Sequence, residues 1–146
     1  MDVTVLTWVV AIAGLVLIGL LASLQLVAIV RPRAPRTVEM VYGGDPGSTD
    51  PKAYFAFNQG FAWADVLLWA PLQIIGSIGM LLGREWGFVL ALAASVPYLY
   101  SAIPIFVWDR DMGFRKEGFV YWVVIWGMWP AFGVIQGIYA FVRLVE

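Results

Sequence analysis

The 146-residue sequence contains no cysteine and no histidine. Without cysteine the chain has no disulfide bond, no thiolate nucleophile and no cysteine-bound metal or cluster. Without histidine it lacks the commonest general base and metal ligand, and the usual proximal ligand of haem. Charge is scarce as well, at 13% of residues and a net charge of −1, so the basic footprint of a nucleic-acid-binding protein is missing. We therefore predict no enzyme, no cofactor, no metal site and no nucleic-acid partner.

What the chain has in abundance is apolar sequence, at 62% of residues. A soluble domain of this size could not cover so much apolar surface with so few charges, so lipid is the expected solvent. Four apolar runs each reach the roughly 20 residues that a helix needs to cross a bilayer. They cover residues 3–30, 60–83, 86–108 and 119–144. These runs predict an all-α membrane protein with four transmembrane helices in a single domain, residues 1–146.

The basic residues predict which way these helices cross the bilayer. Seven of the nine lie in the first and third loops, and two lie on the opposite side. The seven are Arg31, Arg33, Arg36, Lys52, Arg110, Arg115 and Lys116, and the two are Arg84 and Arg143. By the positive-inside rule, loops one and three, including residues 31–50, are cytoplasmic and both termini are extracytoplasmic. We predict an antiparallel up-down bundle in a plasma or inner membrane.

The cluster from Arg31 to Arg36 has two interpretations. It can act only as a topology signal, or it can also contact anionic lipid headgroups. Two prolines prevent this stretch from extending the first helix, because proline lacks a backbone donor and restricts the residue before it. A second helix is expected to begin at Pro51, with Thr49 or Asp50 as its cap.

Asp65 is a carboxylate inside the second apolar run, where a charge costs roughly 2.5–3.5 kcal/mol on insertion scales. At ~100° per residue it shares one helix face with other polar and small side chains, whereas the opposite face is apolar. This face also carries Asn58, Trp69, Gln73 and Gly76. Because polar side chains in membrane helices turn toward the protein interior, we expect this face to line the bundle interior.

Three roles remain open for Asp65. Counting ~1.5 Å per residue from Gly60 places it about 7–8 Å into the span, toward the cytoplasmic end. There it can pair with Arg115 or Lys116, or it can be a protonated carboxyl bonded to Asn58 or a neighbouring helix. The third role is that of a proton-coupling or cation-binding carboxylate.

Prolines and aromatic residues meet near the middle of the later spans. Pro71, Pro97 and Pro130 each fall near a span centre, and Pro104 adds a second break in the third span. The aromatic side chains at this level can line a cavity for a flat or cationic ligand, or they can simply fill the gaps that the kinks leave. The ligand-binding hypothesis names Asn58, Asp65, Trp69, Gln73, Tyr98, Trp126 and Trp129.

Small residues indicate where helices can approach closely. Two GxxxG patterns occur, at Gly79 and Gly83 and at Gly133 and Gly137. Such patterns favour close helix contacts, either within the chain or between subunits. Gln136, beside the second pattern, can add an interhelical hydrogen bond.

Two functions follow as hypotheses. The first is a structural or accessory subunit that acts by helix–helix contact, as a homo-oligomer or in a larger membrane complex. The alternative is a small carrier or ligand-binding protein that uses Asp65 and an aromatic cavity. Beyond the lipid bilayer, the sequence names no partner or substrate.

Overall fold

The computed structural model describes residues 1–40, 51–111 and 122–146. Throughout these ranges the regular structure is helical, and four helices are long and apolar enough to cross a membrane. The four candidate spans are Val5–Val30, Phe55–Leu81, Glu85–Val107 and Trp126–Val145. The prediction of an all-helical chain with four such helices is confirmed.

Helix α1 covers Val5–Val30 and begins with a reciprocal cap. The Thr7 amide donates to Thr4 Oγ1 at 3.2 Å, and the Thr4 amide donates to Thr7 Oγ1 at 3.1 Å. These two bonds satisfy two backbone donors that have no acceptor within the helix. Both threonine hydroxyls also bond to the Tyr139 hydroxyl near the end of the chain. The start of α1 is therefore tied to the last helix.

A short helix α2, Pro35–Met40, follows, and then a long helix that is divided by one irregular turn. Helix α3 covers Pro51–Ala64, and α4 covers Ala70–Leu81. The helix does begin at the predicted proline, but the candidate caps Thr49 and Asp50 lie outside the described residues. Its apolar part begins at Phe55, earlier than the predicted residue 60, because Phe55 and Phe57 extend the apolar surface.

The turn between α3 and α4 is π-helical and covers Asp65–Trp69. The Ala70 amide donates to the Asp65 carbonyl, five residues back, immediately before Pro71. A proline cannot donate to the preceding turn, and a π turn is one way in which a helix absorbs that missing bond. A second π turn, Trp122–Met128, precedes Pro130 in the same way.

Helix α5, Glu85–Asp111, contains two prolines and no such turn. Pro97 and Pro104 both lie inside a continuous helix, so neither proline ends it, and the kink expected at each stays a prediction. The chain then ends with α6, Trp129–Val145. The predicted start of the fourth span, residues 119–121, lies outside the described residues.

Helices α4 and α5 approach each other through glycine. A Cβ atom added at Gly87 would overlap the Gly79 backbone, and one added at Gly76 would lie 2.8 Å from the Ala91 amide nitrogen. The turn between the two helices passes through Gly83, whose φ of +65° suits a residue without a Cβ. Glycine thus allows this helix pair to pack with its backbones in near contact.

Helix α5 also packs closely on α6, so it lies between α4 and α6. A Cβ atom added at Gly133 would lie 2.6 Å from Tyr98 Cβ, and one added at Gly137 would lie 2.9 Å from Ser95 Oγ. Helix α1 lies mainly against α4, and much of its apolar surface faces outward. Val5, for example, is 81% exposed and Leu20 is 63% exposed. Such faces would contact lipid if the chain lies in a membrane.

Candidate functional site

Two glutamine side chains form the polar centre of the protein. Gln73 Nε2 donates to Gln136 Oε1 at 2.9 Å, and Gln136 Nε2 donates back to Gln73 Oε1 at 2.9 Å. Gln73 Nε2 also donates to Ser77 Oγ at 3.0 Å, and Gln136 Nε2 to the Ala91 carbonyl at 2.8 Å. Each amide nitrogen carries two hydrogens, so all four have an acceptor within the protein.

This amide pair is completely buried, with Gln73, Gln136 and Ser77 all at 0% exposure. It connects α4, α5 and α6, and α1 presses against it through Gly14. A Cβ atom at Gly14 would overlap Gln73 Nε2 and lie 3.2 Å from Gln136 Oε1. A buried polar group without a partner is costly, whereas a fully bonded pair holds its helices in one relative position.

Next to the amide pair along the bundle, four aromatic rings pack edge to face. The Trp69 and Tyr98 ring centroids are 4.7 Å apart, and Trp129 lies 4.9 Å from Tyr98 and 5.4 Å from Trp69. Phe132 adds a fourth ring, 5.2 Å from Tyr98. Separations of this size are those that aromatic pairs prefer. The described rings therefore fill this level of the bundle by contact with one another.

The polar atoms of this aromatic cluster differ in their hydrogen bonding. Trp69 Nε1 donates to the Ala94 carbonyl at 3.0 Å, and Trp129 Nε1 donates to Ser101 Oγ at 3.3 Å. The Tyr98 hydroxyl, in contrast, is buried and has no hydrogen-bond partner among the described residues. It is therefore a polar group that is buried without compensation, which opposes folding.

Asp65 lies apart from the amide pair and bonds to the first helix. Its Oδ2 accepts a 2.9 Å hydrogen bond from Gln25 Nε2, and the carboxylate is half-buried. Within the described ranges it pairs with no cation, and Arg115 and Lys116 lie outside those ranges. The sequence did not predict a role for Gln25. A glutamine within an otherwise apolar span could have indicated this contact, because such side chains form hydrogen bonds to neighbouring helices.

The remaining candidate residues lie elsewhere. Asn58 is half-buried in α3, two turns before Asp65, and has a partner of its own. Trp126 stacks edge to face on Phe106 at 5.7 Å. It also lines an open apolar depression of about 570 Å³, with Val123, Gly127, Met128 and Ala131. The structure thus brings Trp69, Tyr98 and Trp129 together, and it gives Gln73, Asp65 and Trp126 separate partners.

Comparison with known proteins adds no relative to this description. No protein-family model matches the chain, and no curated protein and no solved structure matches it. The geometry of its own residues is therefore what supports a proposal about its function.

Proposed function

We propose that this chain is a small integral membrane protein that acts as a structural or accessory subunit through helix–helix contacts. The observation that carries this proposal is the buried pair of Gln73 and Gln136. Burying polar side chains in a membrane protein costs free energy unless they form hydrogen bonds, and these two form their hydrogen bonds between helices. The aromatic rings at the next level likewise contact each other.

We further propose an antiparallel up-down arrangement with loops one and three in the cytoplasm. Seven of nine basic residues on one side support this orientation. The arrangement is supported by contacts at both ends of α1. Thr4 near its start bonds to Tyr139 near the chain end, and Gln25 near its end bonds to Asp65. The absence of native cysteine makes the topology easy to test. A single cysteine introduced by Ala34→Cys should react with a membrane-impermeant maleimide only after the cells are permeabilised. One introduced by Glu85→Cys should react in intact cells.

Native mass spectrometry of the protein extracted from its own membrane tests the subunit function. The expected result is a complex with other chains or a defined homo-oligomer. Asp65→Asn should change only the stability or the extent of that association. A folded monomer with no associated chain in the gentlest detergents would contradict the proposal.

A second function, a small carrier for flat cations, is favoured by one observation. In the described residues the partner of Asp65 is the neutral amide of Gln25, so the carboxylate is not neutralised there by an ion pair. Ethidium is a suitable probe because it is both flat and cationic. If the carrier function is right, proteoliposomes should accumulate ethidium in a pH gradient, and Asp65→Asn should abolish accumulation. Glu85→Gln is the matched control, because it removes an exposed carboxylate at the other end of the bundle. Equal uptake by Asp65→Asn and the unmodified protein would exclude this function.

A further inference from the structure

The segment after α1 folds back onto the end of the bundle. The Ala34 amide donates to the Arg31 carbonyl at 3.2 Å, and the Val38 amide donates to the Ala34 carbonyl at 3.0 Å. Val38 then packs against a small apolar cluster around Ala28 of α1 and Ala62 of α3. The chain from Arg31 to Val38 is therefore docked against two helices, and its side chains are held at that end of the bundle.

This docked segment carries three exposed arginines, Arg31, Arg33 and Arg36. The Arg33 guanidinium lies over the Phe55 ring, with Cζ 5.7 Å from the ring centroid. None of the three forms an ion pair with a carboxylate that the structure describes. Three positive charges thus lie within six consecutive residues at this end of the bundle, and such a concentration attracts anions.

The position of the segment along the helix indicates which anion would reach it. Val30 is the last residue of an apolar helix, and Arg31 follows it directly. If α1 spans the membrane, the three guanidinium groups lie at the level of the lipid phosphates. Guanidinium groups bind phosphate oxygens in a bidentate fashion, and basic clusters beside a span attract anionic lipids.

We propose that Arg31, Arg33 and Arg36 form a binding site for the headgroups of anionic phospholipids. The site rests on the proposed membrane location, but not on whether the protein is a subunit or a carrier. It goes beyond a topology signal, because a topology signal acts during insertion and requires no bound lipid in the finished protein. Phe55 orients one arginine toward the site by stacking, and Val38 anchors the segment that presents all three.

Native mass spectrometry in mixed micelles of equal phosphatidylglycerol and phosphatidylcholine tests this site. The folded protein should retain phosphatidylglycerol in preference to phosphatidylcholine. Each substitution of one of these arginines, such as Arg36→Gln, should weaken phosphatidylglycerol binding roughly fivefold. Arg84→Gln is the matched control. It removes one exposed arginine, also without an ion pair among the described residues, from the opposite end of the bundle.

The proposal is overturned if Arg36→Gln and Arg84→Gln lose phosphatidylglycerol to the same extent, or if neither variant loses any. Displacement of the lipid by excess inorganic phosphate would also overturn it, because the site would then bind phosphate rather than a lipid. The triple variant with all three arginines changed to glutamine should lose the preference altogether. Its helix content is checked by circular dichroism, and the three single variants decide the question if the triple variant does not fold. A lone chain that retains phosphatidylglycerol would support this site even if the subunit function failed.

Discussion

Replacement of Gln136 by leucine is the most direct test of how the interior is held together. The side chains are similar in volume, so the main change is the loss of three hydrogen bonds, two with Gln73 and one with the Ala91 carbonyl. The substitution also leaves the Gln73 side-chain oxygen buried without a donor. Gln73 keeps only its bond to Ser77.

The size of the effect follows from these contacts. Interhelical hydrogen bonds in membrane proteins contribute about 0.6 kcal/mol on average, so three bonds amount to about 2 kcal/mol. An unsatisfied buried amide oxygen adds about 1–2 kcal/mol. We therefore expect Gln136→Leu to lower the free energy of unfolding by about 3–4 kcal/mol.

The double variant Gln73→Leu/Gln136→Leu distinguishes this explanation from a general packing effect. With both amides removed, neither leaves the other stranded, and the two bonds between them are lost only once. The loss should therefore fall short of the sum of the single variants by about 3–5 kcal/mol. Reversible unfolding in mixed detergent micelles, followed by far-ultraviolet circular dichroism, measures all of these free energies. Gln59→Leu is the control, because Gln59 is half-buried and makes no side-chain hydrogen bond in the described part of the chain. Strictly additive losses, or a Gln136→Leu loss as small as that of Gln59→Leu, would refute the reasoning.

Three further changes are measured in the same unfolding experiment. Gly14→Ala should lower the free energy of unfolding by about 1–3 kcal/mol because the new methyl group meets the buried amides, whereas Gly19→Ala, which meets nothing within 4 Å, should be neutral or slightly stabilising. Equal effects at the two glycines would contradict the close contact at Gly14. Tyr98→Phe should raise the free energy of unfolding by up to about 1 kcal/mol, because it removes a buried hydroxyl that has no hydrogen-bond partner in the described part of the chain; a clear loss of stability would show that this hydroxyl is bonded. Gly83→Ala should be destabilising by about 1 kcal/mol because its φ is +65°, and an unchanged midpoint would argue against that conformation.

The helical architecture could be predicted because it depends on local composition. Four apolar runs of sufficient length indicate four helices wherever they lie relative to one another. The projection of the second helix also placed Gln73 on an inward face, and Gln73 is indeed buried. Gln136 was recognised as a source of an interhelical hydrogen bond. That these two residues are partners could not be predicted, because it depends on the relative rotation and depth of two helices that are far apart in sequence.

The environment of Asp65 was harder to predict for a related reason. The predicted partners were a cytoplasmic cation, Asn58 or an unspecified group on a neighbouring helix, and the observed bond is to Gln25, a neutral amide in the first helix. A carboxylate suggests a cation as its partner, whereas a neutral glutamine can bond to many kinds of group and so indicates no particular one. The π turns were missed because proline alone does not specify them. Pro71 and Pro130 follow such turns, and Pro97 lies in a continuous helix.

The π turn at Asp65–Trp69 allows the second long helix to lose one residue without changing which side chains face inward. A π turn contains one residue more than the α-helical turn that it replaces. Deletion of exposed Leu67 would therefore leave an ordinary helix whose two halves still present the same faces inward. The same deletion at Val96 in α5 would rotate everything beyond it by ~100°. Sequences of different length can thus share this fold if they differ at the π turn, whereas a one-residue deletion inside α5 would turn its later side chains away from α4 and α6.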